Sequence, residues 1–274
     1  MKKVSHLNTW RKIALASWKT SKSPNVYGFL EVDAKAALEY MKTYQEREEV
    51  KITYTHFASK AIAMALKKHP HINSCIRWGT IYEREQVDLF LQVASSDGKD
   101  LSGTKIEKAD EKTLAQFSRE LQEKASLIRK GDDPQFKKTM KTMKRIPIPI
   151  LRWLIRFSDF VGNTLQMSIP ALGIPRDPFG SAMISSIGPL GIDVGFSNFP
   201  TFARTPLVVF IGKVAKRPFV VEDKVVPRET AILSATFDHR IVDGAGIGLF
   251  IRDVRDYLEN PRDEIFHYPE TMKE

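Results

Sequence analysis

The stretch Ala231-Ile-Leu-Ser-Ala-Thr-Phe-Asp238-His239-Arg240-Ile241-Val242-Asp243-Gly244-Ala245-Gly246-Ile247-Gly248-Leu249-Phe250 decides the fold. It opens with apolar, β-prone residues, breaks at a polar turn, and runs on from Gly244 to Asn260 with apolar groups at helical spacing. The pattern predicts strand, turn, helix. The turn gathers an imidazole, two carboxylates, a guanidinium and three glycines, so a titratable base stands where backbone and ligand approach closely.

Three chemistries compete for this stretch. Gly244, Gly246 and Gly248 are spaced G-x-G-x-G, which is not the dinucleotide fingerprint. A Ser-His-Asp hydrolase needs a nucleophile elbow, and no G-x-S-x-G occurs in the sequence. The third reading makes His239 a general base that takes a proton from a substrate's own thiol, hydroxyl or amine, so no covalent nucleophile is required. Its bland counterpart is a turn histidine satisfied by local hydrogen bonds.

The motif D-H-R-x-x-D-G at 238–244, with an apolar helix ending Leu258-Glu-Asn-Pro261, resembles the catalytic signature of the acyltransferase core of 2-oxo acid dehydrogenase complexes. Chloramphenicol acetyltransferase, with H-x-x-x-D-G, is similar. The resemblance to these CoA-dependent acyltransferases implies a histidine base, His239, that deprotonates the acyl acceptor for attack on a thioester. It implies that Asp243, followed by Gly244, supports the loop through an ion pair to an N-terminal arginine. Arg11, in Arg11-Lys12-Ile13-Ala14, stands at that position, and Lys12 is the register alternative. Ser181-Ala-Met-Ile-Ser185-Ser186-Ile-Gly188 resembles the family's T-I-S-N-L-G strand end, which assigns Ser185 as donor to the tetrahedral oxyanion, with Ser186 one register away.

The fold implied is α/β: a chloramphenicol acetyltransferase-like two-layer sandwich with one mixed, mostly antiparallel sheet covered by helices. Family members assemble as trimers with active sites at subunit interfaces, so His239 and Ser185 are expected to meet across two chains. Coenzyme A enters as a substrate, and the implied chemistry uses no metal. The predicted function is acyl transfer between a CoA thioester and a thiol, hydroxyl or amine acceptor. Two other readings stand beside it: a non-catalytic trimeric binding or scaffold protein, and an acyltransferase partner of a separate lipoyl protein. The second follows from the absence, in these 274 residues, of a lipoyl or subunit-binding region.

Bulk properties agree with one catalytic domain over 1–274. A chain of this length with 42% hydrophobic residues can bury a sizeable core. One cysteine, Cys75, excludes a disulfide framework, and Met1-Lys-Lys-Val-Ser-His lacks the apolar core of a secretory signal, which predicts a cytoplasmic protein. The net charge of +9 favours anionic partners such as CoA phosphates. No zinc-finger spacing or RNP-like motif supports nucleic acid.

In chain order, Trp10–Lys19 reads as a short amphipathic helix, Val26–Asp33 as a strand and 34–45 as a helix. Phe57–Lys68 carries a clean apolar stripe. His69-Pro-His71 ends it as a polar turn, a poor metal site. Strand 87–94 is followed by a turn at Ser95–Gly98, where the sequence departs from the family's channel strand. Residues 109–130 read as a long charged helix, 207–215 as a buried strand, and 220–226 as a hairpin tipped by Glu222-Asp223.

Residues from about 132 to 178 read as an insertion. Lys137, Lys138, Lys141, Lys144 and Arg145 lead into Ile146-Pro-Ile-Pro-Ile-Leu-Arg-Trp153-Leu-Ile-Arg-Phe157, and prolines follow at 170, 175 and 178. Pro147 and Pro149 predict that any helix begins only near Ile150. Segment 137–157 is expected either to meet an anionic membrane surface or to pack as a flap on its own domain or a neighbour.

Overall fold

The computed structural model describes residues 23–94, 101–130, 146–200 and 202–267. The predicted helix Trp10–Lys19, Arg11 and Lys12, the turn at 95–98 and the basic run Lys137–Arg145 lie outside the described residues.

Strand β9 (Lys224–Asp238) is the spine of the sheet. On one flank it pairs antiparallel with all nine residues of β1 (Asn25–Asp33), from Asn25 opposite Asp238 to Asp33 opposite Thr230. On the other it pairs antiparallel with β7 (Leu207–Ile211), and its first half folds back on β8 (Ala215–Val221). Beyond β7 come β6 (Ala182–Ser186), β4 (Leu89–Ala94) and β5 (Leu101–Ile106). Only β4 with β6 and β6 with β7 are parallel, so the sheet is mixed and mostly antiparallel, as expected. A separate hairpin is formed by β2 (Ser74–Arg77) and β3 (Thr80–Glu83).

Helices cover one face. These are α1 (Lys35–Glu48), α2 (Tyr54–Lys68), α3 (Leu114–Lys130) and α5 (Gly244–Glu259); α4 (Ile148–Asp159) belongs to the insertion, and α6 (Asp263–Phe266) is a short closing turn. Alternation along the strands sends Leu30, Val209 and Leu233 to the helix side, where Ile62 of α2 and Phe250 and Val254 of α5 meet them in one core. Three small residues of α2, Ala58, Ala61 and Ala65, are fully buried, which lets that helix lie deep between sheet and neighbours.

Several boundaries differ from the sequence expectation, each for a local reason. The helix expected from Ala109 starts at Leu114, because Thr113 and Gln116 exchange side-chain-to-backbone hydrogen bonds of 3.2 and 2.9 Å in a capping box. The helix expected from Phe57 starts three residues earlier, at Tyr54, where Thr53 and His56 form the same device. The insertion helix begins at Ile148, not near Ile150. Pro149 sits in its first turn, where a missing N–H costs nothing. The buried strand expected to reach residue 215 ends at Ile211. There a Cβ on Gly212 would stand 2.1 Å from the Asp193 carbonyl oxygen, so the segment crossing the strand end admits only glycine.

Two buried basic side chains pin the helix layer. Lys60 is fully buried, and its Nζ donates to the carbonyls of Ala109 (3.1 Å) and Asp110 (2.7 Å), tying α2 to the turn before α3; burial pushes its ammonium down to about 7. His56 places Nδ1 2.6 Å from Ser118 Oγ, and burial pushes its imidazole down to about 4. The folded protein therefore keeps His56 neutral below pH 6.5, where the unfolded chain takes up a proton. The stabilisation is full above pH 6.5 and lost as pH falls towards 4, on the order of 3 kcal/mol in total. Urea titrations of wild type and His56→Gln across that window should show the steeper loss in wild type, the two slopes differing by about one proton.

Candidate active site

The turn that ends β9 is built around its first carboxylate. Asp238 is buried, and its Oδ1 accepts the Arg240 backbone N–H (3.0 Å) and Nε (2.9 Å), while Oδ2 accepts Nη2 at 2.6 Å. Its carbonyl accepts the N–H groups of Ile241 and Val242, and Val242 is buried, which closes the turn. His239 stands between these fixed points. Its backbone N–H donates to the Pro24 carbonyl (2.8 Å), while its ring is exposed. The backbone of His239 is thus held on both sides and its imidazole left accessible, which a general base would need.

Asp243 supports the loop as the N-cap of α5, its Oδ1 accepting the Gly246 N–H at 2.9 Å. The ion-pair partner expected for it, Arg11, lies outside the described residues. Of the three glycines, only Gly246 is crowded: a Cβ there would stand 3.0 Å from Val242 Cγ2 and 3.3 Å from His71 Nε2. Gly244 and Gly248 face open space, so close approach explains one glycine of the three.

The two candidate serines face opposite ways. Ser186 shares a face with Ile184 and the main core, and its Oγ accepts from Thr55 Oγ1 of α2 at 2.9 Å. Ser185 alternates with it and shares the open face with Met183, which joins a satellite cluster with Val208 and Ala203. Among the described residues no hydrogen-bond partner meets the Ser185 hydroxyl, whereas Ser186 is already engaged.

The structure does not bring Ser185 and His239 together within one chain. Ser185 is in register with Phe210, and Phe210 with Ser234, while His239 lies five residues further along. With about 3.3 Å per residue and about 4.8 Å per strand, the two backbones are roughly 20 Å apart. They occupy opposite ends of β7.

Sequence reasoning missed three neighbours of this region. Asp238 was only one carboxylate of the turn, although the D-x-R spacing lets an aspartate hold its own backbone two residues on. Thr55, which occupies Ser186, carries no local signal. His69, expected as a polar turn, is buried with Nε2 2.7 Å from Asp253 Oδ2 of α5, a contact between segments 184 residues apart. Among the described residues, no group of three or more His, Cys, Asp or Glu is placed to hold a metal ion.

The cap makes a stability test possible. Asp243→Ala should cost about 1 kcal/mol in urea denaturation, and Asp243→Asn, which caps equally well, close to nothing. Equal losses in both would show that a charged partner, and not the cap, dominates.

A family model described as 2-oxoacid dehydrogenases acyltransferase (catalytic domain) matches residues 2–135 and 180–265. The lipoamide acyltransferase component of the branched-chain alpha-keto acid dehydrogenase complex of Bacillus subtilis is 24% identical over 257 residues, covering 91% of this chain and 50% of that protein. The chain thus spans about half the length of that relative. A probable dihydrolipoamide acetyltransferase from Listeria monocytogenes shares the fold at a TM-score of 0.64 and 21% identity, over 95% of this chain and 97% of its own. A chloramphenicol acetyltransferase aligns at a TM-score of 0.50 and 15% identity, over 87% and 90% of the two chains. By the match over both halves, on either side of 136–179, the chain belongs to the family of 2-oxoacid dehydrogenase acyltransferase catalytic domains.

Proposed function

We propose that the protein transfers an acyl group between the thiol of coenzyme A and a dihydrolipoyl thiol, at sites formed between the subunits of a homotrimer. His239 takes the proton of the attacking thiol, and the thiolate adds to the thioester carbonyl. The Ser185 hydroxyl donates a hydrogen bond to the oxyanion so formed. Collapse breaks the original C–S bond, and the departing thiolate recovers the proton from the imidazolium. One preplaced donor of this kind is worth about 2.7–4 kcal/mol.

The separation of Ser185 and His239 carries the reading. An exposed histidine on a braced turn and an unengaged serine hydroxyl roughly 20 Å away make sense as halves of a site completed by a neighbour. The surface available for that neighbour is apolar: Phe29 is 64% exposed, Leu190 72% and Phe196 45%. The segment from Gly191 to Asn198 is fixed across the open face by Ser234 Oγ, which donates to the Gly195 carbonyl (2.7 Å), and by Tyr27 Oη, which donates to Asn198 Oδ1 (2.9 Å). The family's lipoamide-linked names support the choice of a dihydrolipoyl acceptor, and a net charge of +9 suits the phosphates of CoA.

Subunit mixing tests this. His239→Ala and Ser185→Ala should each lower acetyl-CoA:dihydrolipoamide transfer by about 10²–10³-fold. Co-expressed in equal amounts, they should recover about a quarter of wild-type activity, because a quarter of the randomly formed interfaces join an intact His239 to an intact Ser185. No recovery would place both residues in one chain's site. A wild-type protein that neither turns over acyl-CoAs nor binds CoA in calorimetry would leave the non-catalytic binding protein as the reading.

A further inference from the structure

Helix α4 is the one long helix of the described residues with no buried side chain. Ile148 is 73% exposed, Ile150 53% and Trp153 62%. At 100° per residue, Arg152 and Arg156 lie one above the other, with Trp153 about 60° beyond Arg156 and Ile150 further round. The outward arc thus carries the two arginines along its middle, with Trp153 and Ile150 on one flank and Ile148 on the other. Leu151 and Leu154 face the domain only in part.

The base of this helix is fixed. Arg84, nearly buried, holds Asp177 in a fork (2.7 and 3.1 Å), and Arg204 Nη2 meets Asp159 at 2.7 Å. A π-helical turn at Phe160–Thr164 follows, with Asn163 Nδ2 donating to the Phe202 carbonyl (2.9 Å) and Arg77 Nε to the Thr164 carbonyl (3.0 Å). Phe160 meets Trp78, itself 65% exposed on the β2–β3 turn, edge to face at 5.8 Å. Two tryptophans therefore project from a rigid platform.

The charge of the segment is one-sided. Between Asp133 and Asp159 the sequence has no Asp or Glu, while five basic residues from Lys137 to Arg145 precede Arg152 and Arg156. We propose that α4 and the Trp78 turn dock on an anionic phospholipid surface, with Trp153, Ile150 and Trp78 in the headgroup region and Arg152 and Arg156 on the phosphates. Interfacial helices combine these residue types in this way. A twelve-residue helix is about 18 Å long, too short to cross a bilayer, and no helix of the described residues is long and apolar enough to do so. A self-complementary contact with a second copy would oppose the same two arginines, so charge favours the lipid. This proposal does not rest on the acyl-transfer reading.

Vesicle sedimentation of the full chain tests it, with phosphatidylcholine alone or mixed with phosphatidylglycerol, at low and high salt. Wild type should bind only the mixed vesicles and be released by salt. Arg152→Glu/Arg156→Glu and Ile150→Ala/Trp153→Ala should each weaken partitioning about tenfold or more, with melting temperature and acyl transfer unchanged. Absence of salt-sensitive binding by wild type, or equal binding by the variants, would overturn the proposal. A variant that instead splits an oligomer in ultracentrifugation would give the face to a second copy and overturn it equally.

Discussion

Register in a sheet is discrete, and the register of β9 constrains everything else in this molecule. Its nine-residue pairing with β1 and its pairing with β7 leave no freedom to slide, because a one-residue slip would turn Leu233 and Phe237 out of the core. That same register places His239 beyond one end of β7 and Ser185 beside the other. No side-chain motion spans roughly 20 Å. If both residues act in one reaction, assembly is part of the chemistry, and the exposed aromatic residues of the open face are the surface on which assembly would occur.

The division of labour within the His239 turn follows from the same economy. Asp238 is consumed by Arg240 and by backbone, and Asp243 by the first turn of α5, so neither is placed as a partner of the imidazole among the described residues. The carboxylates fix where the histidine stands. What distinguishes His239 from the buried His56 and His69 is that, among the described residues, only its backbone is fastened while its ring is exposed.

The sequence was most legible where local and tertiary signals agree. The strand and helix flanking His239 could be read because apolar spacing changes from two to about 3.6 across a polar turn, whereas Ser185 and Ser186 follow the unbroken apolar run Ala182–Ile184, and only the structure shows which of them Thr55 engages. Helix starts at Thr53 and Thr113 were also legible in principle, as capping boxes, but a stripe-based reading follows burial and overlooks caps. Pro149 misled because a proline in a first turn looks, from sequence, like one in a helix interior. The Arg84–Asp177 fork, the Lys60 carbonyl cage and the His69–Asp253 pair join segments 49 to 184 residues apart, and no periodicity encodes such partners.

In the proposed site, the base comes from one subunit and the oxyanion donor from the next. The most direct measurement is a structure of the assembled protein with coenzyme A bound. The CoA sulfur should then lie within hydrogen-bond reach of His239 Nε2, about 3 Å, with Ser185 of the adjoining subunit beside the same sulfur. Coenzyme A bound away from His239, or an assembly in which no neighbour brings Ser185 to it, would contradict the claim.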